Sequence, residues 1–235
     1  MFCTITADQN TETTGLKIKE CVNDPDIKVI HVVGGPCDEK FWEDCAKKVG
    51  DLAPMEENAE GNKTGRIFTD IKHPWQQSSE SFSYSNTRQP LHTDGSYESN
   101  APDMTFFCCL ESPRFGGHTT FVEVDDLVQY IGEYSVELLE RIRTEIVKHG
   151  KGNDSKTKPI LQDEKLTWNY YRCQPCKLRD DFHEFLEKYI VGGNLFQSVR
   201  LNPGEALFFK DEELLHGRTA FLGHRWLVKG GIYVR

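Results

Sequence analysis

No run of about 18 consecutive apolar residues occurs in the 235-residue sequence, which argues against a membrane-spanning helix. The first ten residues, MFCTITADQN, lack a basic flank and a long apolar stretch, so no secretory leader is expected. Positive charge is in deficit. Twenty-eight Lys+Arg against 37 Asp+Glu leave a net charge of −9, the opposite of the basic surface that nucleic-acid binding requires. There is no dense cysteine framework either. Cys3, Cys21, Cys37, Cys45, Cys108, Cys109, Cys173 and Cys176 are scattered along the chain, which fits reduced thiols in a cytoplasmic protein. With no internal repeat and no low-complexity linker, one domain over residues 1–235 is expected. A chain this long buries roughly 70–75% of its unfolded surface and needs no covalent or metal staple.

What is present is a succession of short strands with a few helices. KVIHVVGG (28–35) is β-branched and ends on glycines, a strand signal. In 38–52, Phe41, Trp42, Cys45 and Val49 recur at helical spacing before Gly50. A surface loop is predicted over 53–65, a strand over 66–71 and irregular chain over 73–86. MTFFCCLES reads as a buried strand in which Cys108 and Cys109 behave as small hydrophobes. PRFGGHTTFVEV gives a Gly-Gly turn and another strand. The stretch 124–150 predicts helix in pieces, capped by Asp125 or Asp126, and 151–159 a loop. LTWNYYRCQP starts as a strand, and 181–193 is an amphipathic helix stopped by glycines. Two strands flank the turn at 202–204, and HRWLVKGGIYV closes the chain as a strand. This pattern predicts a β-sandwich or double-sheet barrel with helices outside.

Four short segments carry chemistry. On an extended strand, His92 and Asp94 point to one side, where an imidazole and a carboxylate can share a metal. His216, in LLHGR, ends an apolar strand and supplies a second imidazole. Two histidines and one carboxylate on one face of a metal make the facial triad of non-haem Fe(II) oxygenases, which leaves open coordination positions. Arg225 follows His216 by nine residues, with Gly223 between them to turn the chain back. Its planar fork suits the far carboxylate of a dicarboxylate co-substrate. In GGHTT, the glycine pair allows close backbone approach and the Thr119 hydroxyl can reach the same carboxylate. His118, at a turn position, is left out of the metal set.

In the order HTD, GGHTT, LLHGR, RWLVK, these segments resemble the taurine-dioxygenase-like, or clavaminate-synthase-like, family of Fe(II)- and 2-oxoglutarate-dependent dioxygenases, from about residue 66 to the C-terminus. The resemblance implies a mainly β fold with flanking helices, the double-stranded β-helix or jelly roll. It implies His92, Asp94 and His216 as iron ligands, Thr119 and Arg225 as holders of the 2-oxoglutarate C5 carboxylate, and Fe(II), 2-oxoglutarate and O2 as cofactor and co-substrates. The chain departs from the family in three ways. The His216–Arg225 spacing is short, Lys229 stands where some relatives carry a second arginine, and KDEELLHGR is unusually acidic before the histidine.

The activity so implied is hydroxylation of an unactivated C–H bond of a small polar molecule, an amino acid or a natural-product intermediate, with release of succinate and CO2. Desaturation, cyclisation or epimerisation would use the same residues. Asn86, Arg88, Tyr97, Asn169, Arg172, Arg218 and Lys229 are the candidate substrate contacts, with Ser85, Trp168 and Tyr171 beside them, and their cations favour a carboxylate-bearing substrate. The partner expected is therefore a small molecule, with no nucleic acid and no membrane, and with room for homo-oligomerisation. Competing readings are a thiol redox or zinc protein built on Cys173 and Cys176, a non-catalytic jelly-roll ligand binder, and a metallohydrolase at the same triad, in which Thr119 and Arg225 would have no task.

Overall fold

The computed structural model describes residues 2–55, 65, 67–73 and 85–235. The chain begins with a parallel strand pair. Strand β1 (Phe2–Thr6) leads through helix α1 (Thr11–Asn23) to β2 (Val29–Val33), with Phe2 opposite Val29 and Thr6 opposite Val33. Helix α2 (Glu39–Val49) opens on Asp38, whose side chain accepts from the Lys40 N–H, a cap worth about 1 kcal/mol. Its last turn carries Lys47 and Lys48 against the helix dipole. Strands β3 (Gly50–Ala53), β4 (Thr69–His73), β5 (Gln89–His92) and β6 (Met104–Glu111) follow. Next come β7 (Phe115–Gly116), β8 (Thr119–Glu123), α3 (Val124–Tyr134) and α4 (Val136–Thr144).

The hairpin β9 (Val147–Lys151) and β10 (Asp154–Lys158) precedes the short pair β11 (Leu161–Gln162) and β12 (Lys165–Leu166). Helix α5 (Lys177–Phe185) runs into a π-helical turn, Leu186–Val191. The last strands are β13 (Gln197–Val199), β14 (Ala206–Lys210), β15 (Leu214–Arg218), β16 (Phe221–Leu222) and β17 (Arg225–Val234), with a 3-10 turn at Asp211–Glu213 between β14 and β15.

Two sheets form the body. The larger has the order β1-β2-β14-β6-β17-β3, with β4 also on β17, and the smaller has the order β13-β8-β15-β5. Alternation along the central strands of the larger sheet explains its two buried faces. Phe106, Cys108, Phe208 and Val228 pack with Ile18 and Val22 of α1 and Phe41, Trp42 and Cys45 of α2. Phe107, Cys109, Phe209 and Leu227 face the other way and meet Phe121 and Leu214 of the smaller sheet. A third core lies beyond the smaller sheet, where Leu91, Val122 and Leu215 meet α3, α4, α5 and the buried Trp168. The molecule is thus mainly β with flanking helices.

Several local expectations change. Val147–Lys151 is a strand rather than the end of a helix, because Val147 and His149 are buried while Lys148 is exposed, a period of two. The segment 151–159 supplies the return strand β10 rather than a loop. Residues 167–173 are not a strand. The Arg172 and Cys173 N–H groups both donate to the Asn169 carbonyl, and the Asn169 side chain accepts from the Tyr171 N–H, which curls the chain into a turn. Neither Asp125 nor Asp126 caps α3. Glu123 holds that position without a side-chain bond, and the aspartates sit in the first turn. Most of 53–65 and 73–86 lies outside the described residues.

Candidate active site

Strand pairing builds the site. In the smaller sheet β15 lies between β5 and β8, and its register sets His216 directly opposite His92. The two rings are 4.3 Å apart between centroids, and both residues are buried. Strand β5 ends at His92, so Asp94 is not on an extended strand as expected but opens a turn. Gly95 takes φ +61 there, and a Cβ on it would lie 2.7 Å from that of Ala101. The turn is tethered to the third core. The Thr93 N–H donates to the Trp168 carbonyl at 2.7 Å, and the Trp168 N–H donates to Thr93 Oγ1 at 3.0 Å.

Asp94 Oδ1 lies 3.8 Å from His92 Nε2 and Asp94 Oδ2 lies 3.5 Å from His216 Nε2. One ligand atom from each residue falls within 4.8 Å of the other two, the only such group among the described residues. The donor set suits Fe(II), being two imidazoles and one carboxylate. Burial, reinforced by His216, lowers His92 to about 4, and burial lowers His216 to about 4, so both rings are neutral and ready to ligate at pH 7. His92 Nδ1 faces the Pro90 carbonyl at 2.9 Å, which makes Nδ1 the donor and leaves Nε2, the nitrogen nearer Asp94, as the acceptor. Burial pushes the Asp94 carboxyl up. Lys229, with Nζ 2.6 Å from Oδ2, outweighs that and holds it well below the usual carboxylate range.

Thr119 and Arg225 are both buried, at 3% and 5% exposure, and line one narrow crevice with Cys109, Gly117, Leu201 and Leu227. Gly116 and Gly117, at φ +69 and +72, make the turn before Thr119. Among the described residues no carboxylate stands within ion-pair distance of Arg225, whose guanidinium lies 5.7 Å from the Phe221 ring centroid. Burial, with Arg218 nearby, lowers it to about 9, so it remains charged at neutral pH. A buried cation without an anion is strongly unfavourable.

The candidate substrate contacts divide. Lys229 is at the His92–Asp94–His216 group. Tyr97 is close enough to Asp94 for the carboxylate to raise its phenol further, although burial is the main cause of that rise. The exposed Arg172 lies near Tyr97, as does Lys151, whose ammonium stands 5.5 Å from the Tyr97 ring centroid. Asn169 shapes the adjacent turn. Arg88 instead pairs with Glu187 of the π-helical turn. Arg218 donates to the carbonyls of Ser85 (2.7 Å) and Thr87 (2.8 Å), bracing the approach to β5. The Asn86 carbonyl accepts from the Phe221 N–H.

Sequence reasoning missed Lys151, hidden in a stretch taken for a loop. It also missed Gln89, whose amide reaches His92 Nε2 at 3.2 Å, and Asp211, the first residue of the acidic run. Asp211 Oδ1 stands 3.2 Å from His216 Nδ1, and burial, with Asp94 close by, pushes its carboxyl up. The CxxC pair is a poor thiol centre. Cys173 is buried and pushed up to about 12 by that burial, and Cys176 caps α5 by accepting from the Arg179 N–H.

Residues 26–172 match the model of the taurine catabolism dioxygenase TauD, TfdA family. The chain belongs to that family. It is an Fe(II)- and 2-oxoglutarate-dependent dioxygenase, and its fold is the double-stranded β-helix. It is 24% identical over 186 residues to the 3-((Z)-2-isocyanoethenyl)-1H-indole synthase of Fischerella ambigua, covering 68% of this chain and 67% of that one. An asparagine oxygenase solved with Fe(II), 2S,3S-3-hydroxyasparagine and succinate superposes with a TM-score of 0.74 at 14% identity, over 98% of this chain and 93% of its own. PvcB from Pseudomonas aeruginosa gives 0.70 at 16% identity, over 98% and 86%. Among the described residues no helix is long and apolar enough to cross a membrane.

Proposed function

We propose that this dioxygenase hydroxylates an unactivated C–H bond of a small carboxylate-bearing molecule, an amino acid or an intermediate derived from one, while 2-oxoglutarate becomes succinate and CO2. The observation that carries the reading is the meeting of His92, Asp94 and His216 in one fold with the buried Arg225, which lies beside Thr119 and has no ion-pair partner among the described residues. A metallohydrolase would leave that arginine without a task, and a ligand-binding jelly roll would have no need of the three metal-ligating side chains.

His92, Asp94 and His216 would hold the metal. With 2-oxoglutarate and O2, bound Fe(II) supplies the oxidising power that breaks a C–H bond. The rest falls to the chain itself. Arg225 and Thr119 grip the far carboxylate of 2-oxoglutarate and set its depth in the crevice. The apolar lining of Leu201 and Leu227 keeps water from that ion pair. Lys229, Lys151 and Arg172 gather positive charge on the Tyr97 side, where a substrate carboxylate would be drawn and oriented. The amino-acid class is supported by the asparagine oxygenase, whose solved complex holds a hydroxylated amino acid.

A second outcome, desaturation, is favoured by the Fischerella relative, named for an ethenyl product. One experiment tests both. Amino acids and their derivatives are screened for stimulation of succinate release, with products read by mass spectrometry. Gain of one oxygen marks hydroxylation and loss of two hydrogens marks desaturation. Absence of any 2-oxoglutarate-dependent absorption band with anaerobic Fe(II), together with absence of succinate, would refute the reading.

A further inference from the structure

The acidic run before His216 has a structural explanation. The 3-10 turn Asp211–Glu213 sends its three carboxylates in three directions. Glu213 pairs with Lys28, the residue before β2. Glu212 is ringed by Lys156 at 3.3 Å, Lys165 at 3.6 Å and Lys158 at 4.0 Å, from β10 and β12. Asp211 turns inward and is 2% exposed. Its Oδ1 lies 3.2 Å from His216 Nδ1, and both atoms are buried with no hydrogen bond among the described residues, so each is left facing the other. The same carboxyl accepts from the backbone N–H of Asp94.

We infer that Asp211 is a positioning residue that fixes two of the three metal ligands at once, His216 through its ring and Asp94 through its backbone. This rests on the reading of His92, Asp94 and His216 as the metal centre. An imidazole can give a lone pair from Nε2 only when the proton sits on Nδ1, and that N–H needs an acceptor. For His92 the acceptor is the Pro90 carbonyl, 2.9 Å away. For His216 it is Asp211. The lysine ring around Glu212 and the Lys28–Glu213 pair hold the turn from outside, so Asp211 cannot swing away from the histidine. The hairpin β9–β10, remote from the site in sequence, thereby supports the metal centre mechanically.

Two measurements test this. In the metal-free protein at pH 7.5, nitrogen-detected NMR of the His216 ring should show the Nδ1–H tautomer, and finding the Nε2–H tautomer would overturn the proposal. That measurement needs no variant. Co(II) titration then compares Asp211→Asn with Asp211→Leu, with thermal unfolding followed in parallel. The Asn variant keeps an acceptor and should bind within about fivefold of wild type. The Leu variant keeps the approximate volume without the acceptor and should bind about 10–100-fold more weakly. Equal Co(II) affinity in the Leu variant and wild type would also overturn it. If wild type binds no Co(II), the metal reading fails instead, and the tautomer still decides what Asp211 does.

Discussion

Arg225 and Lys229 lie four residues apart on β17, both basic and both turned into the protein, yet burial is resolved differently at each. Lys229 has an anion in hand, with Nζ 2.6 Å from the Asp94 carboxylate. Arg225 has none among the described residues and sits in an apolar crevice with Thr119. The first cation is compensated by the protein, and for the second we propose that the far carboxylate of 2-oxoglutarate does so. His149 offers a third solution. Fully buried, it gives up its charge, since burial together with Lys156 and Lys158 lowers it to about 4. A buried charge with no partner of its own therefore marks where an external anion belongs.

The contrast can be broken outright by Asp94→Ala, which deletes a metal ligand and leaves Lys229 unpaired. Succinate release should fall to assay background and Fe(II) titration should lose its saturable phase. Arg225→Ala tests the other pole. It should raise the KM for 2-oxoglutarate on the order of 100-fold, the loss expected for a buried charge-assisted pair worth about 3 kcal/mol. Fe(II) affinity should be unchanged, and a variant with an unaltered KM would show that the crevice serves something else.

His149 makes a weaker test by pH. Its folded pKa of about 4 lies below the ordinary 6.5. The unfolded chain therefore takes up a proton first, and stability falls as pH drops from 6.5 toward 4. The loss approaches about 3 kcal/mol at the lower end. Urea midpoints for His149→Gln should be flatter over that interval than those of wild type. The smallest effect is expected for Arg172→Met, since Arg172 is exposed. The KM for the carboxylate-bearing substrate should rise about 2–5-fold, as for one exposed ion pair, while the KM for 2-oxoglutarate stays put.

Much of the site was legible because its residues sit in short segments of distinctive chemistry. HTD and GGHTT lie where a strand meets a turn, and LLHGR and RWLVK lie within strands β15 and β17, so type and order sufficed to nominate His92, Asp94, His216, Thr119 and Arg225. The supporting partners were not legible. Nothing local marks Asp211 as the neighbour of His216, since its inward turn depends on a 3-10 turn and on lysines more than 40 residues away. Arg88 and Arg218 looked like substrate contacts because a cation near a site in sequence carries no direction, and Glu187 and the Ser85 and Thr87 carbonyls decide where they point.

The fold shows the same division. MTFFCCL was readable from its apolar continuity. Helix α1 escaped because TETTGLKIKECVN has a weak apolar stripe and an internal glycine. Gly15 is there for packing, as a Cβ would lie 2.7 Å from the Lys48 side chain of α2.

Strand β17 bears both cations and is hydrogen-bonded on both edges, to β6 along one side and to β4 and β3 in succession along the other. Amide protons there can reach solvent only when the larger sheet comes apart, so they belong to the slowest-exchanging set. The spacing between the two anion grips is then an all-or-none property. Warming will not loosen it by degrees, and capacity for the keto-diacid will vanish in the same cooperative step that melts the sheet.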